Sequence, residues 1–264
     1  MIMFEDVYLR NVETVCVNHT NFMLKGKSSK GYQRKWKKDN KIIKLDAVGY
    51  QSISEVLISH FLAFTELREY RVPYYPCLIE EEGKLLGSGC FSYDFKPQGK
   101  TIVTAGKLLE KSKMSLGISY YDFLDFMDSN YMRYFTIKDY IDKILCLDAI
   151  TWNDDRHFFN IAFLEDEKGI LSPAPIYDNG EGCLADMISY PFTCGLAENL
   201  SSVVAKPFAF SFTQQLDYVS KPILLDKEGF LSSLNKFSTK ESIRALDAIL
   251  AGLSETEGKA WESY

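Results

Sequence analysis

The stretch from Thr136 to Gly180 constrains this chain more than any other, because it orders a buried helix, a polar loop, a short hairpin and an acidic loop. From Thr136 to Ile150, the residues Ile137, Tyr140, Ile141, Ile144 and Leu145 recur at helical spacing. Thr136 and Asp139 read as a capping-box start. The polar loop Asn153-Asp154-Asp155-Arg156-His157-Phe158-Phe159-Asn160 follows. Ile161-Ala162-Phe163-Leu164 reads as a short apolar strand, Glu165 to Gly169 as a turn, and Ile170-Leu171 as the return. Tyr177-Asp178-Asn179-Gly180 closes the stretch. Asp155 and Asn160 stand five residues apart, and Asp178 comes eighteen after the Asn. Three oxygen-bearing side chains converging from a loop and its hairpin suit a hard cation such as Mg²⁺. A plainer reading stays open: Asp178-Asn179-Gly180 as a tight turn, since Asn-Gly favours positive φ, and Asn153-Asp154-Asp155 as a helix terminator.

The chain has 264 residues, 46% hydrophobic and 25% charged, which is ample for a globular core. A net charge of −6 argues against a non-specific nucleic-acid binder. Cys16, Cys77, Cys90, Cys146, Cys183 and Cys194 are scattered without a C-x-x-C pair, so reduced thiols in a cytoplasmic protein are expected. No charged-then-apolar leader and no apolar run near eighteen residues is present, so neither a cleaved signal nor a membrane span is expected.

Positive charge gathers between Lys25 and Lys44. Within it, Gly26-Lys27-Ser28-Ser29-Lys30-Gly31 can present backbone N–H groups and cations to phosphates. A Walker A loop is rejected, since its first glycine would fall on Asn21 and no apolar helical stripe follows. What remains is a phosphate-covering loop involving Gly26, Lys27, Ser28, Ser29 and Gly31. Lys41-Ile42-Ile43-Lys44-Leu45 reads as a strand, and Ser52 to Arg68 as a helix with Ile53, Val56, Leu57, Phe61 and Phe64 on one face. Taken singly, Lys44 reads as an edge-strand lysine and Glu55 as the partner of Ser52 in a capping box. Pro73 to Glu81 and Lys84 to Phe91 read as strands joined at Glu82-Gly83, with a hinge at Gly89 to Asp94. Helices are then expected at Ile118–Tyr131, Ser211–Tyr218, Leu225–Phe237 and Lys240–Leu253. The pattern predicts an α+β bilobal protein: a small mixed lobe over 1–92, a mainly helical lobe over 93–264, and the site between them.

The loop Asn153-x-Asp155-Arg156-His157-x-x-Asn160, followed by Ala174-Pro175-Ile176-Tyr177-Asp178, resembles the HipA-like serine/threonine kinases, and within that group the small CtkA-type kinases. The resemblance spans about Asn40 to Gly182, including Lys44 at the end of a strand and Ser54-Glu55-Val56 on the first long helix. It implies a protein-kinase-like fold that uses ATP and Mg²⁺. Asp155 is then the catalytic base, Asn160 and Asp178 hold Mg²⁺, Lys44 holds the ATP phosphates and Glu55 orients Lys44. It also implies a protein substrate with a Ser or Thr acceptor, and it makes Ser28 and Ser29 candidates for self-phosphorylation, the alternative being that both are simple loop hydroxyls. Asp-Arg-His-x-x-Asn occurs too in phosphoinositide 3-kinase-like loops, so a lipid acceptor stays open, as does a nucleotide-binding pseudokinase. His157 is expected to make a structural hydrogen bond rather than bind zinc.

Overall fold

The structure, a computed structural model, describes residues 12–23 and 33–263. Its first layer is a sheet of Glu13–Val17 (β1), Lys35–Lys38 (β2), Lys41–Leu45 (β3), Tyr75–Glu81 (β4) and Lys84–Tyr93 (β5), in spatial order β1-β4-β5-β3-β2. Two-residue turns join its hairpins. Asp39 (φ 48°) and Asn40 (φ 63°) connect β2 to β3, and Glu82 (φ 52°) and Gly83 (φ 82°) connect β4 to β5. Successive positive φ values match the twist of the flanking strands. Alternation then sorts the faces: Ile43 packs with Trp36, Val15, Val17, Cys77, Ile79 and Phe91 on one side, while Lys44 points to the other. Lys44 is no edge lysine, because β3 is hydrogen-bonded on both sides, to β2 and β5.

Gln51–Leu62 (α1) packs on β4 and β5. The expected Ser52/Glu55 capping box does not form. Ser52 instead donates its backbone N–H and its hydroxyl to Asp46, each at 2.6 Å, and Ser88 adds a bond to the same carboxylate at 2.8 Å. The helix also stops well short of Arg68. Thr65 donates its hydroxyl to the Leu62 carbonyl at 2.9 Å and accepts the Leu67 N–H at 3.1 Å, giving the backbone a local alternative to another helical turn.

The strand β5 runs through the expected hinge as far as Tyr93, and residues 94–100 make the crossing. Gly89 is needed inside it, since a Cβ there would stand 2.2 Å from the Lys44 carbonyl oxygen. Thr101–Thr104 (β6) leads into Ala105–Lys111 (α2), Tyr120–Asn130 (α3) and Tyr134–Thr151 (α4). The last starts two residues before Thr136, so Thr136 and Asp139 are not its cap; Asp128 accepts the Tyr134 N–H at 2.6 Å instead. Trp152 ends α4 in the left-handed region (φ 54°). Ala162–Glu165 (β7) and Leu171–Pro173 (β8) complete a sheet of order β6-β7-β8. Then come Leu196–Ser201 (α5), Phe212–Leu216 (α6), Ile223–Leu225 (β9), Lys227–Ser232 (α7), Lys240–Thr256 (α8) and Trp261–Ser263 (β10). The helix expected over Leu225 to Phe237 is thus the end of a strand, a short helix and a 3₁₀ turn. The α4 and α8 helices cross closely enough that Gly252 has no room for a Cβ, which would lie 2.1 Å from the Ile150 carbonyl oxygen.

Burial pushes the Asp46 carboxyl up to about 6, against its hydrogen bonds from Ser52 and Ser88. A raised carboxyl pKa stabilises the fold below the unfolded value near 4 and loses that contribution as pH rises through about 6. Asp46→Asn, which keeps an oxygen for the Ser52 N–H, is expected to remove a fall of roughly 3 kcal/mol between pH 4 and pH 7. Urea unfolding of both proteins across that range checks this. Parallel curves would mean that Asp46 is ionised at no cost.

Candidate active site

The Lys44 ammonium sits between two carboxylates from opposite lobes. It bonds Glu55 of α1 and, at 2.7 Å, Oδ1 of Asp178. Tyr74 adds a hydroxyl at 3.3 Å. Lys44 and Glu55 are 4% and 1% exposed, whereas Asp178 is 24% exposed and faces the cleft. Burial lowers the Lys44 pKa, but Asp178 and Glu55 outweigh it and hold the ammonium well above its ordinary value. For Asp178 burial acts upward, yet Lys35 and Lys44 drive its carboxyl far below the usual range. Both groups are therefore charged.

Glu55 has a second task. Its Oε2 accepts the Asn179 N–H at 3.0 Å, and Ser54 donates to the carbonyls of Asn179 (3.1 Å) and Gly182 (2.9 Å). The acidic loop is thus fastened to α1. A side chain at Gly180 would crowd Gln51 at 3.3 Å, so its glycine serves close approach. The turn reading placed positive φ at Asn-Gly; the left-handed residue is Asp178 itself (φ 60°). Tyr74 steadies it by accepting the Asp178 N–H at 3.4 Å.

Arg156 organises the catalytic-type loop from beneath. It is 1% exposed and forks onto Asp148 near the end of α4, with Nε at 2.9 Å and the second terminal nitrogen at 3.0 Å. The same guanidinium donates to the Asn160 carbonyl (2.9 Å), the Tyr177 carbonyl (3.4 Å) and Oδ1 of Asn179 (2.6 Å). It therefore sets Asn160 and both neighbours of Asp178 around one rigid plane. Asn153 supports the loop, bonding Asp148 at 2.9 Å and accepting the Asp155 N–H at 3.2 Å. The Asn160 amide nitrogen donates to the Asp155 carbonyl at 3.0 Å, which closes the five-residue span.

Of the residues singled out in the sequence, Lys44, Glu55 and Asp178 meet directly, and Asp155 and Asn160 are tied to one another and, through Arg156, to the acidic loop. Gly26, Lys27, Ser28, Ser29 and Gly31 lie outside the described residues. The expected hydrogen bond of His157 does not form among the described residues: both ring nitrogens are buried without a partner there, and Nε2 stands 4.0 Å from the Asp155 carboxylate. Burial lowers its pKa, so the ring is neutral near pH 7. No group of three or more His, Cys, Asp or Glu able to hold a metal occurs among the described residues. Nor is any helix among them long and apolar enough to cross a membrane. All six cysteines are free thiols.

Sequence reasoning missed Lys35, whose ammonium reaches both Asp178 oxygens at 3.3 and 3.4 Å. A signal existed, since the Asp39-Asn40 turn sets Lys35 directly across from Lys44. It also missed Tyr74 and Asp148, which no short motif marks.

No protein-family model and no curated protein matches the sequence. Solved structures do. CtkA, a proinflammatory kinase of Helicobacter pylori, superposes over 88% of this chain and 89% of its own, at 15% identity and a TM-score of 0.60. HipA of Shewanella oneidensis MR-1, from its complex with HipB and operator DNA, aligns over 89% of this chain and 63% of its own, at 13% identity and a TM-score of 0.45. The likeness to CtkA shows the fold: the bilobal, kinase-like α+β arrangement.

Removing one side of a buried ion pair strands the other charge. Arg156→Met is therefore expected to cost roughly 3–5 kcal/mol in chemical unfolding, with most of it recovered when Asp148→Leu is added. An Arg156→Met protein as stable as the parent would contradict the role given to this guanidinium.

Proposed function

We propose that the chain is an ATP- and Mg²⁺-dependent phosphotransferase whose acceptor is a serine or threonine hydroxyl of a protein. The observation that carries the reading is the Lys44 ammonium held between Glu55 and Asp178, with Asn160 bound to the same framework through Arg156. Phosphoryl transfer asks for positioned charge more than for covalent work by the protein.

The donor set fits Mg²⁺. Asn160 uses its amide nitrogen on the Asp155 carbonyl, and its Oδ1 takes no hydrogen bond among the described residues. Asp178 is fully ionised and reachable from the cleft. Oxygen donors of this kind are what a hard cation takes. Asn160 and Asp178 would hold Mg²⁺, which would supply positive charge against the nucleotide phosphates. Lys44 would be the cation that meets an α/β-phosphate. Lys35, whose ammonium stands 3.3 Å from Asp178, would add a second positive charge beside the nucleotide phosphates. Asp155 orients the acceptor hydroxyl and receives its proton as the oxygen bonds the γ-phosphorus and the bond to ADP breaks. The neutral His157 beside it adds no competing positive charge.

Two variants separate these roles. Asp155→Asn is expected to bind nucleotide within a few-fold of the parent while transfer falls roughly 10²–10⁴-fold, the range for a lost general base. Asp178→Ala is expected to lose Mg²⁺-dependent binding of a non-hydrolysable ATP analogue in calorimetry. Near-normal transfer by the first variant, or unchanged Mg²⁺ dependence in the second, would end the assignment concerned.

A further inference from the structure

A buried guanidinium with two unpartnered nitrogens lies on α8. Arg244 is 8% exposed, and neither of its terminal nitrogens has a hydrogen-bond partner among the described residues. The Phe192 ring covers it, with the guanidinium carbon 4.4 Å from the ring centroid. The Lys240 ammonium, one turn earlier, stands 5.4 Å from the same ring. The Glu241 Oε1 lies 3.6 Å from Lys240 and takes no hydrogen bond among the described residues. Tyr50, whose ring is 6.3 Å from Phe192, gives its hydroxyl to the Cys183 carbonyl at 2.8 Å. A desolvated cation without acceptors is costly, and an aromatic face offsets only part of that cost. A fixed guanidinium fork is suited to an anion that accepts two parallel hydrogen bonds.

The covering ring sits at the tip of a turn. Residues 191–194 form a turn pinned at its ends. The Cys194 N–H bonds the Pro191 carbonyl at 3.2 Å, and Asn199 bonds the carbonyls of Pro191 and Cys194 at 3.1 and 3.3 Å. Phe192 and Thr193, both exposed, occupy the tip and take no part in those bonds. The turn begins beside Tyr190, whose hydroxyl bonds the carboxylate of Asp154, the neighbour of Asp155. An occupant at Arg244 would therefore act on a segment already joined to the catalytic-type loop.

We propose that Arg244, with Lys240, is a receptor for a phosphate group, which the guanidinium takes bidentately when Phe192 swings away. Two cations against the single carboxylate of Glu241 suit a group of charge about −1.5 to −2 better than a carboxylate. The phosphate has two possible sources, an ester on Thr193 and free inorganic phosphate. The first rests on the function proposed above. There the Thr193 oxygen bonds the γ-phosphorus of ATP, the bond to ADP breaks with its electron pair, and the hydroxyl proton passes to the acting copy's Asp155.

The test is thermal unfolding of the full chain titrated with inorganic phosphate, against chloride at matched ionic strength. Four proteins are compared: the parent, Arg244→Met, Arg244→Lys and Lys44→Met. A saturable rise in Tm is expected in the parent and in Lys44→Met, whose cleft has lost its buried lysine. The rise is expected to weaken several-fold in Arg244→Lys, which keeps charge but not the fork, and to vanish in Arg244→Met. A parent that does not respond, or an Arg244→Met protein that responds equally, overturns the proposal. Peptide mapping after incubation with Mg²⁺ and ATP identifies the source. Phosphate on Thr193, with loss of the response to added phosphate, assigns the ester. Label elsewhere but not on Thr193, with the titration positive, assigns the free anion. Absence of any transfer removes the function proposed above and the Thr193 source together, while the titration still decides the receptor.

Discussion

The rest of the site depends on one ammonium group shared by two carboxylates. Lys44 is buried in the sheet, Glu55 comes from the helix behind it, and Asp178 comes from the loop below. A lysine buried without partners would shed its proton. Here the two anions keep it charged, and so the position of one lobe's carboxylate is fixed by the other lobe's cation. Because Glu55 also holds the Asn179 N–H, a shift of α1 would disturb both the lysine and the acidic loop at once. That coupling is a physical reason for strand, helix and loop to adopt one relative placement.

A second framework lies beneath the first. Arg156 and Asp148 form a buried pair, and the remaining donors of Arg156 reach Asn160, Tyr177 and Asn179. Buried ion pairs are weak contributors to net stability but strong constraints on geometry, since every alternative arrangement strands a charge. The two frameworks meet at Asp178, whose neighbours on either side are held by Arg156 while its carboxylate is held by Lys44 and Lys35. The left-handed backbone of Asp178 is kept in place by this surrounding set. What the arrangement provides is a charged, partly exposed carboxylate held by two lysines.

Much of this was legible in the sequence. The helical stripe before Asn153, the spacing of Asp155, Asn160 and Asp178, and the strand ending in Lys44 all describe elements that the structure contains. The residues that failed to announce themselves are those that act through distant partners. Asp46 displaced the expected Ser52/Glu55 cap because it reaches α1 from the preceding loop. Asp128 did the same for α4. Tyr74 and Asp148 sit far from any motif, and their part is set by packing that a local pattern does not encode. Lys35 lay between these cases, visible only once the register of the β2–β3 hairpin is known. The short helices α2 and α5 and the β9–β10 pair were missed because pieces this brief carry no periodicity to read.

The central claim is that this framework of fixed charge moves a phosphoryl group to a protein hydroxyl. The most direct measurement is incubation with γ-labelled ATP, with and without Mg²⁺, offering the protein alone, a generic protein acceptor, and vesicles containing phosphoinositide. The account predicts Mg²⁺-dependent label on serine or threonine of the chain itself or of the protein acceptor. Label confined to the vesicles would give the acceptor to lipid. Nucleotide binding without label on any of the three would contradict the claim and leave a nucleotide-binding module on a kinase-like fold.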